Sequence, residues 1–126
     1  MIEQTVDIET RDGAMETFIC APDRGGPFAP ILFLMDAPGI REELRDMARR
    51  LATSGYLVAL PNLYYRAGRD TTFGSDVLDA GSAEHARMRA VRTKMTIPPV
   101  MNDVDDMLTY LADRADVRDG PVGCHG

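Results

Sequence analysis

An acidic residue in a sharp turn is the first feature of the sequence that could take part in chemistry. Asp36 follows the apolar run 31–35, and Pro38 and Gly39 turn the chain before a helical pattern begins at Arg41. A continuous apolar run predicts a strand buried on both faces. Ligands and catalytic groups gather at the carboxyl ends of such strands in open α/β sheets. Asp also commonly hydrogen-bonds the backbone of its own turn, so a purely structural role for Asp36 stays open.

The cysteines and histidines are the other reactive side chains, and their spacing is not typical of a metal site. Cys20 and Cys124 are far apart in the sequence, as are His85 and His125. Two distant cysteines do not form a disulfide scaffold. We therefore expect a reduced, cytoplasmic chain that uses neither a metal nor another cofactor.

Length and composition limit the fold and the partners. The chain has 126 residues, which suit one domain, 1–126, with a real hydrophobic core. Its net charge of −6 argues against nucleic acid or an anionic membrane as partner. No apolar run approaches the ~20 residues that span a bilayer, and the polar, acidic N-terminus is unlike a signal peptide. A small-molecule partner remains, and a homo-oligomer stays open.

The elements that must position Asp36 can be predicted from the hydrophobic pattern. Residues 5–10 alternate polar and apolar, Gly13 follows in a hairpin signal, and a second strand runs over 15–21. After the strand at 31–35, apolar residues spaced three and four apart predict a helix over 41–54.

A second buried strand is predicted at 56–60, after the helix stop at Gly55. Strand, helix and strand then form a βαβ unit with parallel strands. Tyr64 follows the second strand, on the rim predicted for Asp36. We expect this rim to face Gly126.

The rest of the chain predicts a long loop, two helices and a final strand. Residues 67–81 have no period, and a loop of that length is usually functional or mobile. A weakly patterned helix over 82–95 carries a basic cluster, most simply a solvated face. Pro98 and Pro99 predict a break before a helix over 100–115. A further strand is predicted to begin near residue 122.

The order and spacing of these pieces resemble the N-terminal half of a dienelactone hydrolase-like protein of the α/β-hydrolase superfamily. The matching pieces are the early hairpin, Met35-Asp36-Ala37-Pro38-Gly39-Ile40, Pro61-Asn62-Leu63-Tyr64, the helix around Asn102–Asp106, and Val122-Gly123-Cys124-His125-Gly126. The resemblance implies an α/β fold with three layers, α/β/α. Its mostly parallel sheet would have an N-terminal antiparallel hairpin and be incomplete at its C-terminal end. The implied activity is hydrolysis of esters or lactones through a Cys or Ser nucleophile and an acyl-enzyme.

In this family the strand that closes the half leads into a nucleophile elbow, G-x-C-x-G or G-x-S-x-G. Residues 122–126 fit it in two registers. In one, Cys124 is the nucleophile of a degenerate motif. In the other, Gly126 is the first glycine of the elbow and the nucleophile follows it. We favour the second, because Gly123 and Gly126 match the family's two glycines; Cys124 and His125 would then be ordinary strand residues.

The resemblance also suggests roles for residues of this half. The oxyanion hole would take one backbone N–H from the residue after the nucleophile and one from Ala37, since Pro38 has no N–H. Asp36 stands where the family has a glutamate that meets the nucleophilic thiol and an arginine, and its reach is one methylene shorter.

Substrate contacts are implied for two further segments. The segment that starts at Tyr64 would exclude water and help select the substrate. The family's substrate-binding arginine falls near 85–89, where His85, Arg87 and Arg89 are the candidates. A function of another class, an inactive half-domain that serves as an interaction or assembly module, stays open, because the final predicted strand lacks an outer neighbour.

Overall fold

The computed structural model describes residues 1–69, 73–74, 76–93 and 95–126. Asp70, Thr71, Thr72 and Ser75, which belong to the predicted loop 67–81, lie outside the described residues, as does Lys94 of the basic cluster.

The described residues form a five-stranded mixed sheet and three α-helices. The strands are β1 (Ile2–Thr10), β2 (Gly13–Ala21), β3 (Ala29–Phe33), β4 (Tyr56–Pro61) and β5 (Gly123–His125), and the helices are α1 (Glu42–Thr53), α2 (Ala83–Arg92) and α3 (Ile97–Ala112). A short 3₁₀ turn, Tyr65–Ala67, follows β4. Along the sheet the strands lie in the order β1-β2-β4-β3-β5.

The pairing confirms the predicted combination of an antiparallel arm with parallel strands. β1 pairs with β2, and β2 with β4, in antiparallel register. β3 pairs with β4 on one side and with β5 on the other, both in parallel. The carboxyl ends of β3, β4 and β5 therefore lie on the same edge of the sheet.

Both faces of the sheet are covered, which gives the predicted three layers. On one face α1 buries Leu44, Ala48 and Ala52 against a cluster that includes Phe33, Val58 and Leu60. On the other face α3 buries Met107 and Leu111 against a cluster that includes Ile19, Leu32 and Leu57. Successive residues of β3 and β4 contribute to opposite clusters, as the strand period of two requires.

Several element bounds differ from the sequence prediction, and three of the differences have a clear physical reason. Pro98 and Pro99 do not precede the third helix but lie in its first turn, where a proline's missing N–H is tolerated. β3 ends at Phe33, although the apolar run continues to Met35. β1 begins at Ile2, because every residue from there to Thr10 has a partner in β2.

Candidate functional site

A tight turn at the carboxyl end of β3 carries the candidate site. Gly39 N–H donates to the Asp36 carbonyl at 3.0 Å, which closes a four-residue turn. Gly39 is buried and has a φ of +88°, a conformation that glycine adopts at little cost. The turn is therefore specified by the residue types Pro38 and Gly39, as the sequence indicated.

The Asp36 carboxylate binds Arg41, the residue at the N-cap of α1. Its two oxygens accept hydrogen bonds from the Arg41 guanidinium at 2.6 and 3.1 Å, and Arg41 also donates to the Gly39 carbonyl at 3.1 Å. The Asp36 side chain is 52% exposed. Hydrogen bonding to this carboxylate raises the pKa of Arg41, so the guanidinium stays charged at neutral pH. Asp36 thus holds its own turn to the start of the helix, while one edge of the pair faces solvent.

The Ala37 amide is a free donor at the same turn. Within the described residues, the Ala37 N–H has no hydrogen-bond acceptor. It shares a peptide plane with the Asp36 carbonyl and points the opposite way. Because Gly39 binds that carbonyl, the Ala37 N–H is turned outward from the turn. An outward, unpaired N–H at this position is the arrangement that an oxyanion donor requires.

Tyr64 reaches the turn from the neighbouring strand. Its hydroxyl donates to the Ala37 carbonyl at 2.7 Å, and the residue is 2% exposed. Burial raises the pKa of Tyr64, and the nearby carboxylate of Asp36 adds to the increase while Arg92 opposes it. The hydroxyl therefore remains protonated at neutral pH. The structure thus places Asp36, Ala37 and Tyr64 together, as predicted for strands that end on one rim.

A buried ion pair, which the sequence did not predict, holds the segment after β4 in place. Asp103 of α3 has no exposed surface and accepts from Arg66 at 2.8 and 2.9 Å and from the Tyr65 hydroxyl at 2.8 Å. Arg66 also donates to Asp12 in the hairpin turn, at 2.6 Å. Because 37 residues separate Arg66 from Asp103, no local pattern could have indicated the pair.

The end of β5 lies next to the residue that follows β3. Leu34 N–H donates to the His125 carbonyl at 2.7 Å, and a Cβ added to Gly126 would lie 3.1 Å from the Leu34 Cβ. Gly126 is therefore beside a residue that precedes Asp36 by two positions. Cys124 lies in the middle of β5, paired in register with Leu32, and is exposed.

His125 points toward the α1 face of the sheet. Its ring packs edge-on against Phe33 with 5.0 Å between centroids, and it borders a shallow surface cavity with Leu51 of α1. These contacts are those of an ordinary strand residue.

The three candidates on α2 are placed differently from one another. The His85 ring nitrogen Nδ1 lies 2.9 Å from the Val77 carbonyl oxygen. Arg87 binds Glu84 at 3.0 Å and also stacks 4.4 Å over Phe73, whose ring packs edge-on against Tyr64 at 5.7 Å.

Arg89 borders an open surface cavity together with Arg92 and Met95. Through Phe73, the structure connects Arg87 to Tyr64, whereas Arg89 lies with Arg92. Phe73 and Arg92 were not identified from the sequence, because both occur in or beside segments without a clear period.

The described residues show neither a cluster of metal ligands nor a membrane-spanning helix. Over residues 1–69, 73–74, 76–93 and 95–126, no group of three His, Cys, Asp or Glu side chains is placed to hold a metal ion. In the same part of the chain, no helix is long and apolar enough to cross a bilayer.

Part of the chain is similar in sequence to curated proteins that share one name. A curated relative named carboxymethylenebutenolidase from Methylorubrum extorquens is 38% identical over 72 residues, which is 57% of this chain and 25% of the relative. Another of that name from Escherichia coli K12 is 40% identical over 48 residues, 38% of this chain and 18% of the relative. The chain thus matches only a part of these longer proteins.

Solved structures match nearly the whole chain. The crystal structure of a dienelactone hydrolase from Klebsiella pneumoniae superposes with a TM-score of 0.77 at 22% identity and covers 98% of this chain and 48% of that one. A dienelactone hydrolase from Anabaena variabilis gives a TM-score of 0.64 at 15% identity, over 98% of this chain and 50% of that one. At these identities the likeness shows the fold, an α/β-hydrolase fold of which the chain spans about half. The family model of the dienelactone hydrolase family matches residues 15–126, and the chain belongs to that family.

Proposed function

We propose that the protein is a hydrolase of small-molecule esters or lactones that works through a covalent acyl-enzyme. The observation that carries the proposal is the Ala37 N–H, which has no acceptor among the described residues and lies at the carboxyl end of β3, on the edge of the sheet where β5 also ends. Relatives named carboxymethylenebutenolidase support the same class of reaction.

In this proposal the nucleophile elbow starts at Gly126, and a Cys or Ser two residues further on attacks the substrate carbonyl carbon. The carbonyl π electrons move to oxygen, and the resulting oxyanion accepts hydrogen bonds from Ala37 N–H and from the N–H of the residue after the nucleophile. Collapse of this intermediate breaks the carbon–oxygen bond to the alkoxide, which takes up the proton that the nucleophile lost on attack, and leaves an acyl-enzyme. Water then adds to the acyl carbon and releases the acid and the nucleophile.

Asp36 acts in this proposal through its charge and its turn. Its carboxylate lies one residue before the oxyanion donor and is neutralised by Arg41. The pairing keeps a negative charge from opposing the oxyanion. Of the two arginine candidates on α2, Arg87 is better placed than Arg89 to contact a polar substrate group, because it is linked to Tyr64 through Phe73.

The test is hydrolysis of p-nitrophenyl acetate by two proteins, the 126-residue chain and the product of its complete gene. We expect turnover only where G-x-C-x-G or G-x-S-x-G begins at Gly126. Cys124→Ala in the active protein is the control for the other register. Turnover by the 126-residue chain that Cys124→Ala abolishes would make Cys124 the nucleophile.

A second candidate function is a catalytically inactive module that associates with another chain. The observation in its favour is that β5, the outermost strand on its side of the described sheet, has all three residues exposed. A gene product without the elbow that forms stable oligomers in sedimentation analysis would select this function over the enzyme.

A further inference from the structure

We propose that Tyr64 is a positioning residue whose hydroxyl orients the Ala37 N–H toward the reacting carbonyl. The inference rests on the proposed function, and it goes beyond it by assigning a role to a side chain outside the reacting groups. It starts from one contact, the 2.7 Å hydrogen bond from the Tyr64 hydroxyl to the Ala37 carbonyl.

The turn can lose the donor's orientation by rotation of either peptide that flanks Ala37. The preceding peptide is held at its Asp36 carbonyl by Gly39 N–H at 3.0 Å. The following peptide is held at its Ala37 carbonyl by Tyr64. Of these two constraints only the second comes from outside the turn, and among the described residues it is the hydrogen bond that links the turn to the segment after β4.

Tyr64 is itself held rigidly enough to serve as a reference point. Its backbone N–H donates to the Asn62 side-chain oxygen at 3.0 Å, and Asn62 N–H donates to the Glu16 carbonyl of β2 at 2.8 Å. The Phe73 ring packs nearly perpendicular to the Tyr64 ring, with 5.7 Å between the centroids. The backbone of Tyr64 is thus tied through Asn62 to β2, and its ring is packed against Phe73.

Burial leaves Tyr64 little surface with which to contact a substrate. The residue is 2% exposed, and its hydroxyl already donates to Ala37. This burial and this hydrogen bond fit a positioning role better than the substrate-binding role expected from the sequence. The two roles make different kinetic predictions, because a substrate contact affects KM whereas a positioned oxyanion donor affects kcat.

The matched pair Tyr64→Phe and Tyr65→Phe separates positioning from stability. Both variants remove one phenolic hydroxyl from the same segment, but only the Tyr64 hydroxyl contacts the turn, whereas that of Tyr65 binds Asp103. In the 126-residue chain, ¹⁵N relaxation should give a rigid Ala37 amide, with an order parameter near ~0.85, in wild type and Tyr65→Phe. The order parameter of the Ala37 amide should fall to ~0.6 in Tyr64→Phe. An Ala37 order parameter that does not change in Tyr64→Phe would overturn the proposal.

If Tyr64→Phe does not fold, the wild-type chain decides the question. A hydroxyl proton held by the Ala37 carbonyl exchanges slowly and should give a resolved proton signal with a nuclear Overhauser effect to the turn. A rapidly exchanging Tyr64 hydroxyl would contradict the proposal.

Kinetics on the product of the complete gene provide the functional measurement. Tyr64→Phe should lower kcat for p-nitrophenyl acetate about tenfold, less than the ~100-fold or more lost with a complete oxyanion donor, and leave KM within about twofold. Tyr65→Phe should leave kcat unchanged. A rise in KM at constant kcat would refute positioning in favour of substrate contact. If no variant and no wild-type protein turns over, the proposed function fails, while the Ala37 relaxation still decides what Tyr64 does to the turn.

Discussion

Replacing Arg66 by methionine removes a guanidinium from a carboxylate that has no contact with water. Asp103 is fully buried, and Arg66 supplies a hydrogen bond to each of its two oxygens, at 2.8 and 2.9 Å. Only the Tyr65 hydroxyl, at 2.8 Å, would remain on Asp103 among its described partners. Methionine keeps much of the apolar stem of Arg66, so the change tests the charge rather than the packing.

The expected cost follows from the burial of the pair. Removing one partner of a buried ion pair typically destabilises a protein by about 3–5 kcal/mol, because the other charge is left uncompensated. The Arg66 side chain is 19% exposed, which lets some water reach the site. We therefore take the lower end of the range. A loss of about 3 kcal/mol corresponds to a decrease in Tm of roughly 10–15 °C in a chain of this size.

Urea unfolding followed by circular dichroism measures the free energy of unfolding of each variant. Arg45→Met is the matched control, because Arg45 pairs with Glu42 at 3.3 Å on the surface of α1, where such pairs contribute at most ~1 kcal/mol. Arg66→Met/Asp103→Asn, which leaves no buried charge, should be more stable than Arg66→Met alone. Equal losses of unfolding free energy for Arg66→Met and Arg45→Met would show that burial of the Arg66–Asp103 pair adds nothing to its contribution to stability.

Three further predictions concern thiols, acid and the turn. Iodoacetamide at pH 8 should label exposed Cys124 and spare Cys20, whose burial raises its pKa to about 11; labelling of both in folded chain, read by mass spectrometry, contradicts the burial. Arg11 lowers the pKa of Asp106, so the ionised carboxylate stabilises the fold at pH 7 and this contribution is lost as pH falls through the lowered pKa. Asp106→Asn should therefore destabilise the protein at pH 7 and have less effect in acid. An equal loss of unfolding free energy in urea at pH 7 and at pH 2.5 would contradict this. Gly39→Ala, at φ +88°, should cost about 1–2 kcal/mol of stability, because an alanine would be strained there; an unchanged Tm would contradict the requirement for glycine at this position.

The parts of the fold that local pattern determines were predicted correctly from the sequence. The apolar runs of β3 and β4 and the stripe of α1 identified a parallel βαβ unit, because hydrophobic period reports directly on burial. Where β3 ends was not predictable, since the apolar run continues to Met35 and strand pairing, not hydrophobicity, decides where the strand stops. The start of α3 was likewise ambiguous, because proline disrupts a helix interior but is tolerated in its first turn.

The candidate site was predictable in outline and not in its contacts. Sequence order placed Asp36, Ala37 and Tyr64 on one rim, and the structure brings them together. The pairing of Asp36 with Arg41 and the direction of the Tyr64 hydroxyl depend on side-chain geometry across a turn and between strands. Neither has a signature in residue spacing. These contacts are the reason that we propose a role for Tyr64 in holding the turn rather than in binding a substrate.

The position of the acyl group on the enzyme shows directly whether the nucleophile follows Gly126 and whether the reaction forms an acyl-enzyme. The product of the complete gene is mixed with p-nitrophenyl acetate, quenched with acid during the first turnover, and digested for peptide mapping by mass spectrometry. We expect one acetyl group, on a Cys or Ser at the second position after Gly126. Acetyl on Cys124, or an intact protein that releases p-nitrophenol without ever carrying an acyl group, would contradict it.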